Sequence, residues 1–204
     1  NIATDADHDF TSRAIFNQGT INWTAGYIRG GNGSTFTNTA GATFNDLNAS
    51  GYVIQNPFGG SFSFQNDGTY VRSVTGTTYV DVPFVNAGTI ALDRGTLNPR
   101  SSFSLQSTGV LDFSLGGTVG ASDYGVLAFT GNLTLDGLLR LDFRSGFEGS
   151  VTAADTFTLV NVSTGLLLGA FTNVAPGSRL ATADGFGSFR VDYGATSPFG
   201  ASTL

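Results

Sequence analysis

The chain has no cysteine and no methionine, one tryptophan, one histidine and five prolines in 204 residues. Without cysteine there is no disulfide and no thiolate chemistry. A domain of this size needs no covalent staples, so the absence is compatible with an extracellular home without establishing one. Charge is scarce too. Charged residues make up 12% of the chain, about half of the usual quarter, so uncharged Ser, Thr and Asn must cover the surface. The net charge is −6 and the nine basic residues are scattered. That leaves no basic patch to hold nucleic acid or an anionic membrane surface.

Long apolar runs are missing as well. The most apolar stretch, 165–171, falls far short of the roughly 18 residues that cross a bilayer, so no membrane insertion is expected of this segment. No window sustains apolar residues at i, i+3, i+4 and i+7, which excludes an extensive helical fold. One short capping helix or insertion is expected near 46–52. The chain opens at Asn1 without an initiator methionine, as a trimmed or excised polypeptide would.

What is abundant is glycine, with 29 copies, and phenylalanine, with 18. They recur in one phrase: an apolar residue, any residue, Asn, a spacer, Gly, then a β-former. It reads Ile15-Phe16-Asn17-Gln18-Gly19-Thr20-Ile21, then Phe36-Thr37-Asn38-Thr39-Ala40-Gly41-Ala42-Thr43-Phe44 with one residue inserted. Phe64-Gln65-Asn66-Asp67-Gly68-Thr69-Tyr70 and Phe84-Val85-Asn86-Ala87-Gly88-Thr89-Ile90 are cleaner copies, and 103–111 keeps Gly109 but lacks the Asn. The glycines step by 22, 27, 20 and 21 residues. Repetition at that period is the signature of a repeat architecture. Asn followed closely by Gly tolerates positive φ and turns tightly, and the flanking Thr, Ile, Tyr and Phe favour extended chain.

Two folds satisfy strands at this interval. Antiparallel hairpins would make a β-sandwich. One coil per repeat would make a right-handed parallel β-solenoid of about 20-residue rungs, with equivalent residues about 4.8 Å apart. The solenoid explains why one turn residue recurs at one rung length, and it is the expected fold. It places Phe16, Phe36, Phe64 and Phe84 in one internal column. It also stacks a turn ladder of Asn17, Asn38, Asn66 and Asn86 beside Gly19, Gly41, Gly68 and Gly88, with amides able to bond along the stack.

The second half alternates apolar and polar residues, as in 131–137, 139–143, 156–162 and 187–193. Alternation means one face buried and one wet. Asp136-Gly137, between two such runs, reads as a two-residue turn, and 187–193 as a cap strand or a last rung. No linker separates the halves. A single domain is expected over 1–204: a lead-in at 1–12, rungs at 13–125, then further rungs and a cap at 126–204, with antiparallel cap strands allowed at the C-terminus.

The phrases at 64–70 and 84–90 resemble rungs of autotransporter passengers and related large bacterial surface proteins. The second half resembles a recurring bacterial surface segment: Gly131-Asn132-Leu133-Thr134-Leu135-Asp136-Gly137, then Ala154-Asp155-Thr156-Phe157-Thr158-Leu159-Val160, then Gly169-Ala170-Phe171-Thr172-Asn173-Val174. Together the likeness spans most of 13–193. It implies export, a right-handed β-helix, and roles in adhesion, matrix or cell-surface structure. The membrane-inserting barrel and the sorting tail of such families do not follow within the chain.

Residues that could do chemistry are few. Asp5, Asp7 and Asp9 would share one side of an extended strand, and three carboxylates on one face could hold a hard cation such as Ca²⁺. The alternative is a solvated acidic lead-in. The lone His8 is a poor base for a nucleophile triad. Asp67, Asp81, Asp93, Asp112, Asp123 and Asp136 read as turn and strand-edge acids, although Asp112 and Asp136 could neighbour each other. No catalytic or cofactor-binding residue is expected. Trp23 and Tyr27, with Tyr52, Tyr70 and Tyr79, would stack on sugars if exposed in a row, but otherwise fill or flank the core. The expectation is therefore a non-enzymatic extracellular or cell-surface bacterial segment, structural or adhesive. Its partners would be further copies stacking end to end into a filament, host or cell-surface components, or glycans. The alternative is a carbohydrate-binding or polysaccharide-processing β-helix module.

Overall fold

The structure is a computed structural model that describes residues 1–204. The chain coils seven times, and the first six coils each lay down three short strands. The first holds β1 (His8–Asp9), β2 (Ala14–Asn17) and β3 (Thr20–Trp23). The second holds β4 (Ile28–Arg29), β5 (Ser34–Asn38) and β6 (Thr43–Asp46), and the third β7 (Val53–Gln55), β8 (Phe62–Asn66) and β9 (Thr69–Arg72). The fourth has β10 (Thr77–Val80), β11 (Phe84–Asn86) and β12 (Thr89–Leu92), and the fifth β13 (Thr96–Pro99), β14 (Phe103–Leu105) and β15 (Val110–Leu115). The sixth has β16 (Val126–Phe129), β17 (Leu133–Leu135) and β18 (Leu138–Phe143), and the seventh β19 (Val160–Val162) and β20 (Leu167–Gly169).

Through β20, each strand pairs in parallel with the strand three before it, except that β17 does not pair with β14. Sheet A runs β1-β4-β7-β10-β13-β16-β19, sheet B runs β2-β5-β8-β11-β14, and sheet C runs β3-β6-β9-β12-β15-β18. The β17–β20 pair forms a separate parallel piece. This is a parallel β-solenoid, with three sheets around one core.

Strand residues alternate between core and solvent because the side-chain period is two. Inward columns are formed by Phe36, Phe64, Phe84 and Phe103 in sheet B and by Phe44, Tyr70, Ile90, Leu111 and Leu139 in sheet C. Phe36 and Phe64 stack with rings 5.1 Å apart and 9° from parallel, while Phe64 and Phe84 meet edge to face at 5.1 Å.

One member of the expected column is elsewhere. Phe16 pairs with Thr37 and is 61% exposed, and Ile15 lies opposite Phe36. Asn17 sits at the ladder position. The core position is therefore two residues before it, and in the first coil that residue is Ile15, not the bulkier ring beside it.

Of the two readings for 46–52 the insertion holds and the helix does not: six residues separate β6 from β7, where four separate β3 from β4 and β9 from β10. Asn48 ties that loop, accepting from the Ser50 and Tyr52 amides and donating to the Tyr52 carbonyl. Asp136-Gly137 makes its turn between sheets. The strands on either side, β17 and β18, belong to different sheets, so it is a corner of the sixth coil.

The C-terminal end is covered. Strands β21 (Ser178–Ala181) and β22 (Ser188–Val191) form an antiparallel hairpin. The last residues then return along the seventh coil: the Leu204 amide donates to Val160 O (3.0 Å) and the Val162 amide to Ser202 O (2.8 Å). An edge that would otherwise leave backbone donors and acceptors open is partly paired.

Candidate functional site

The corner between sheets B and C concentrates the recurring residues. Asn17, Asn38, Asn66 and Asn86 lie in register and are almost wholly buried. The Asn17 amide nitrogen donates to Asn38 Oδ1 (2.8 Å), Asn38 to Asn66 Oδ1 (2.7 Å), and Asn66 to Asn86 Oδ1 (2.6 Å). Each of the first three also donates to a threonine carbonyl on the next coil, Thr43, Thr69 or Thr89. A buried amide is costly unless it is satisfied, and here neighbouring coils satisfy one another. Leu105 takes the position in the fifth coil, and the ladder ends there.

The glycines of this corner have a different reason than the sequence implies. Gly68 and Gly88 do not adopt positive φ. A Cβ on Gly68 would strike the carbonyls of Ala42 and Thr39, and one on Gly88 the carbonyl of Gly68. Close approach between coils requires them. Gly41, by contrast, is at φ +80 with open space around it. It belongs to a corner two residues longer than its neighbours, since Asn38 and Thr43 align with Asn17 and Thr20. Ala42 holds the column position: the Thr43 amide bonds Gly19 O, and the Thr69 amide bonds Ala42 O.

Between sheets C and A lies a group that the sequence pattern hides. Asp46 and Arg72 are both fully buried and meet at 2.8 Å. The Tyr70 hydroxyl donates to Asp46 Oδ2 (2.7 Å), and Arg72 also reaches the Thr78 hydroxyl and the Asn48 carbonyl. Burial and the Asp46 charge push the Tyr70 hydroxyl well up. Nothing opens this pair to solvent or substrate, so it acts as a structural tie between coils.

The lead-in carboxylates do not converge on a common point. Asp7 and Asp9 both reach Arg29, at 2.6 and 2.7 Å, while Asp5 accepts from the Tyr52 hydroxyl at 2.8 Å. The bond from Arg29 holds the Asp9 carboxyl below its usual range. A guanidinium thus occupies the place where a cation would be held, and no group of three ligating side chains is assembled anywhere in the chain. His8 contacts the Thr4 carbonyl.

Asp112 and Asp136 do not meet. Asp112 lies on the outer face of β15 against Arg140 (3.3 Å), whereas Asp136 bonds the Gly137 amide. Asp112 is pushed up to about 6, chiefly by burial; Arg140 opposes this, and Asp142 and Asp93 add to it. Asp81 pairs with Arg100, whose guanidinium lies 4.2 Å over the Tyr79 ring. Trp23 is fully buried and donates to the Gly26 carbonyl, so it offers no ring to a sugar. Tyr70 is buried too, and Tyr27 meets Tyr52 edge to face at 5.2 Å.

One outward rank lies outside the residues expected to matter. Thr20, Thr43, Thr69 and Thr89 stack along the outer face of sheet C. Their signal was in the repeated phrase itself, where each directly follows the corner glycine or Ala42.

These features define a class: a parallel β-solenoid with a polar ladder inside one corner, paired surface charges and a covered C-terminal end. No protein-family model, no curated protein and no solved structure matches the chain.

Proposed function

We propose that the chain is an extracellular structural or adhesive β-solenoid segment of a bacterial surface or secreted protein, in the manner of an autotransporter passenger. One observation carries this reading: six of the ten buried polar or charged side chains join one coil to the next, through the asparagine ladder and the Asp46–Arg72 tie. Side chains are spent on joining coils, which suits a rigid spacer presenting long outer faces. Six intervals of about 4.8 Å put the first and seventh coils roughly 30 Å apart. A filament grown by strand pairing would first have to displace the returning tail from β19, so the reading favours presentation of the flanks over end-to-end growth.

The test is retention on cells. Beads carrying the folded chain are expected to bind host cells or extracellular matrix more strongly than beads carrying a control of equal charge, and to lose that binding after heat unfolding. Equal retention of the two would remove the adhesive role. Fraying of the middle coils on the seconds scale in hydrogen exchange would remove the rigid-spacer role.

A further inference from the structure

A cavity of about 580 Å³ lies between the last coils and the C-terminal cap. Its walls include Leu139 and Leu141 from β18, the Phe143, Phe157 and Phe189 rings, and Leu204 from the tail. Phe143 and Phe157 each approach Phe189 at 5.5 Å. Phe186 and Phe199 also line it, at 71% and 63% exposed, so apolar surface continues from the interior to the outside. The volume falls within the roughly 300–1,000 Å³ of small-molecule sites, and wetted apolar walls reward an apolar occupant.

The charges around it select the occupant. Arg190 pairs with Asp192 at 3.1 Å, and Asp155 accepts from the amide and hydroxyl of Thr152. Arg179 lines the same space and bonds only Ser188, through its hydroxyl and carbonyl. Of the two arginines of the wall it is the one without a carboxylate partner, as Asp155 is the carboxylate held by Thr152 rather than by a cation. We propose that this cavity binds a small amphipathic anion, an alkyl chain ending in one carboxylate, with the chain against the aromatic cluster and the carboxylate on Arg179. The proposal stands apart from the scaffold reading, since a surface spacer needs no ligand.

Laurate, kept below its micellar concentration, and the uncharged dodecanol are titrated calorimetrically into the intact chain. Laurate is expected to bind one to one, about tenfold more tightly than dodecanol, with a negative heat-capacity change. Arg179→Gln should erase the preference for laurate and leave dodecanol binding unchanged, which also shows that the variant is folded. Ala153→Trp, on the exposed loop that lines the cavity, should weaken both ligands at least tenfold with an unaltered melting temperature. No saturable binding of laurate, equal affinity for the two ligands, or laurate binding indifferent to both substitutions would overturn the proposal.

Discussion

At the scale of single residues, stability should track the polar groups that tie one coil to the next. Asn66 donates to Asn86 and to the Thr89 carbonyl and accepts from Asn38. Asn66→Ala leaves buried partners unpaired on both sides and should cost about 2–4 kcal/mol in urea denaturation. Asn45→Ala, on a half-buried outward position bonded to Asn22, should cost well under 1 kcal/mol. Asp112 behaves in the opposite sense. Its folded pKa lies above the ordinary 3.8, so the folded state prefers the protonated acid. Its favourable contribution is complete below about pH 4 and is lost as pH rises through 6. Asp112→Asn should therefore stabilise the protein at pH 7.5, by on the order of 1–2 kcal/mol after allowing for the lost Arg140 pair. The gain should vanish at pH 4, and a pH-independent effect would contradict the burial argument. The ladder asparagines were legible because each precedes its glycine at a short, repeated distance. The Asp46–Arg72 tie was not, because pairing across coils depends on the length of the loop at 47–52, which no local pattern encodes.

At the scale of elements, what matters is which face of a strand each residue occupies. A one-residue slip carries a whole strand to the wrong face, and the first coil shows how easily this is misread. Two apolar residues, Ile15 and Phe16, precede Asn17, and the larger attracts the core assignment although the two-residue period selects the smaller. Phe16→Ser should change stability by less than about 0.5 kcal/mol, while Phe64→Ala in the stacked column should cost about 3–5 kcal/mol. Equal costs in thermal melts would place Phe16 inside after all. The alternation in 133–143 was legible as strands, but their partners were not: Asp136-Gly137 turns the chain between sheets here, and the same dipeptide closes hairpins elsewhere. Only the coil beneath decides between the two.

At the scale of the whole molecule, the coils form one stack around one core cluster, covered at its C-terminal end. Removing the seven residues from Pro198 onward takes away the tail whose backbone bonds to β19. The shortened chain should associate in a concentration-dependent way in sedimentation velocity, since a bare parallel edge recruits strands, while the intact chain should show less such association at that end. The period of about twenty residues made the stack readable from the first half alone. The cap was only partly readable, since Phe189 and its neighbours alternate like any rung, and that alternation does not reveal that Leu180 is the antiparallel partner of Phe189.

The register itself is the most direct thing to measure. Phe16 and Thr37, Thr37 and Gln65, and Gln65 and Val85 are outward pairs directly opposite one another on successive coils of sheet B. Cysteine pairs placed at them should oxidise to disulfides rapidly and in high yield, because aligned parallel strands hold Cα atoms about 4.8 Å apart, within the reach of the bond. The shifted pairs Thr37 with Ser63 and Gln65 with Pro83 should stay reduced, at about 8 Å. Cross-linking of the shifted pairs in preference to the aligned ones would contradict the stacked coils on which the account rests.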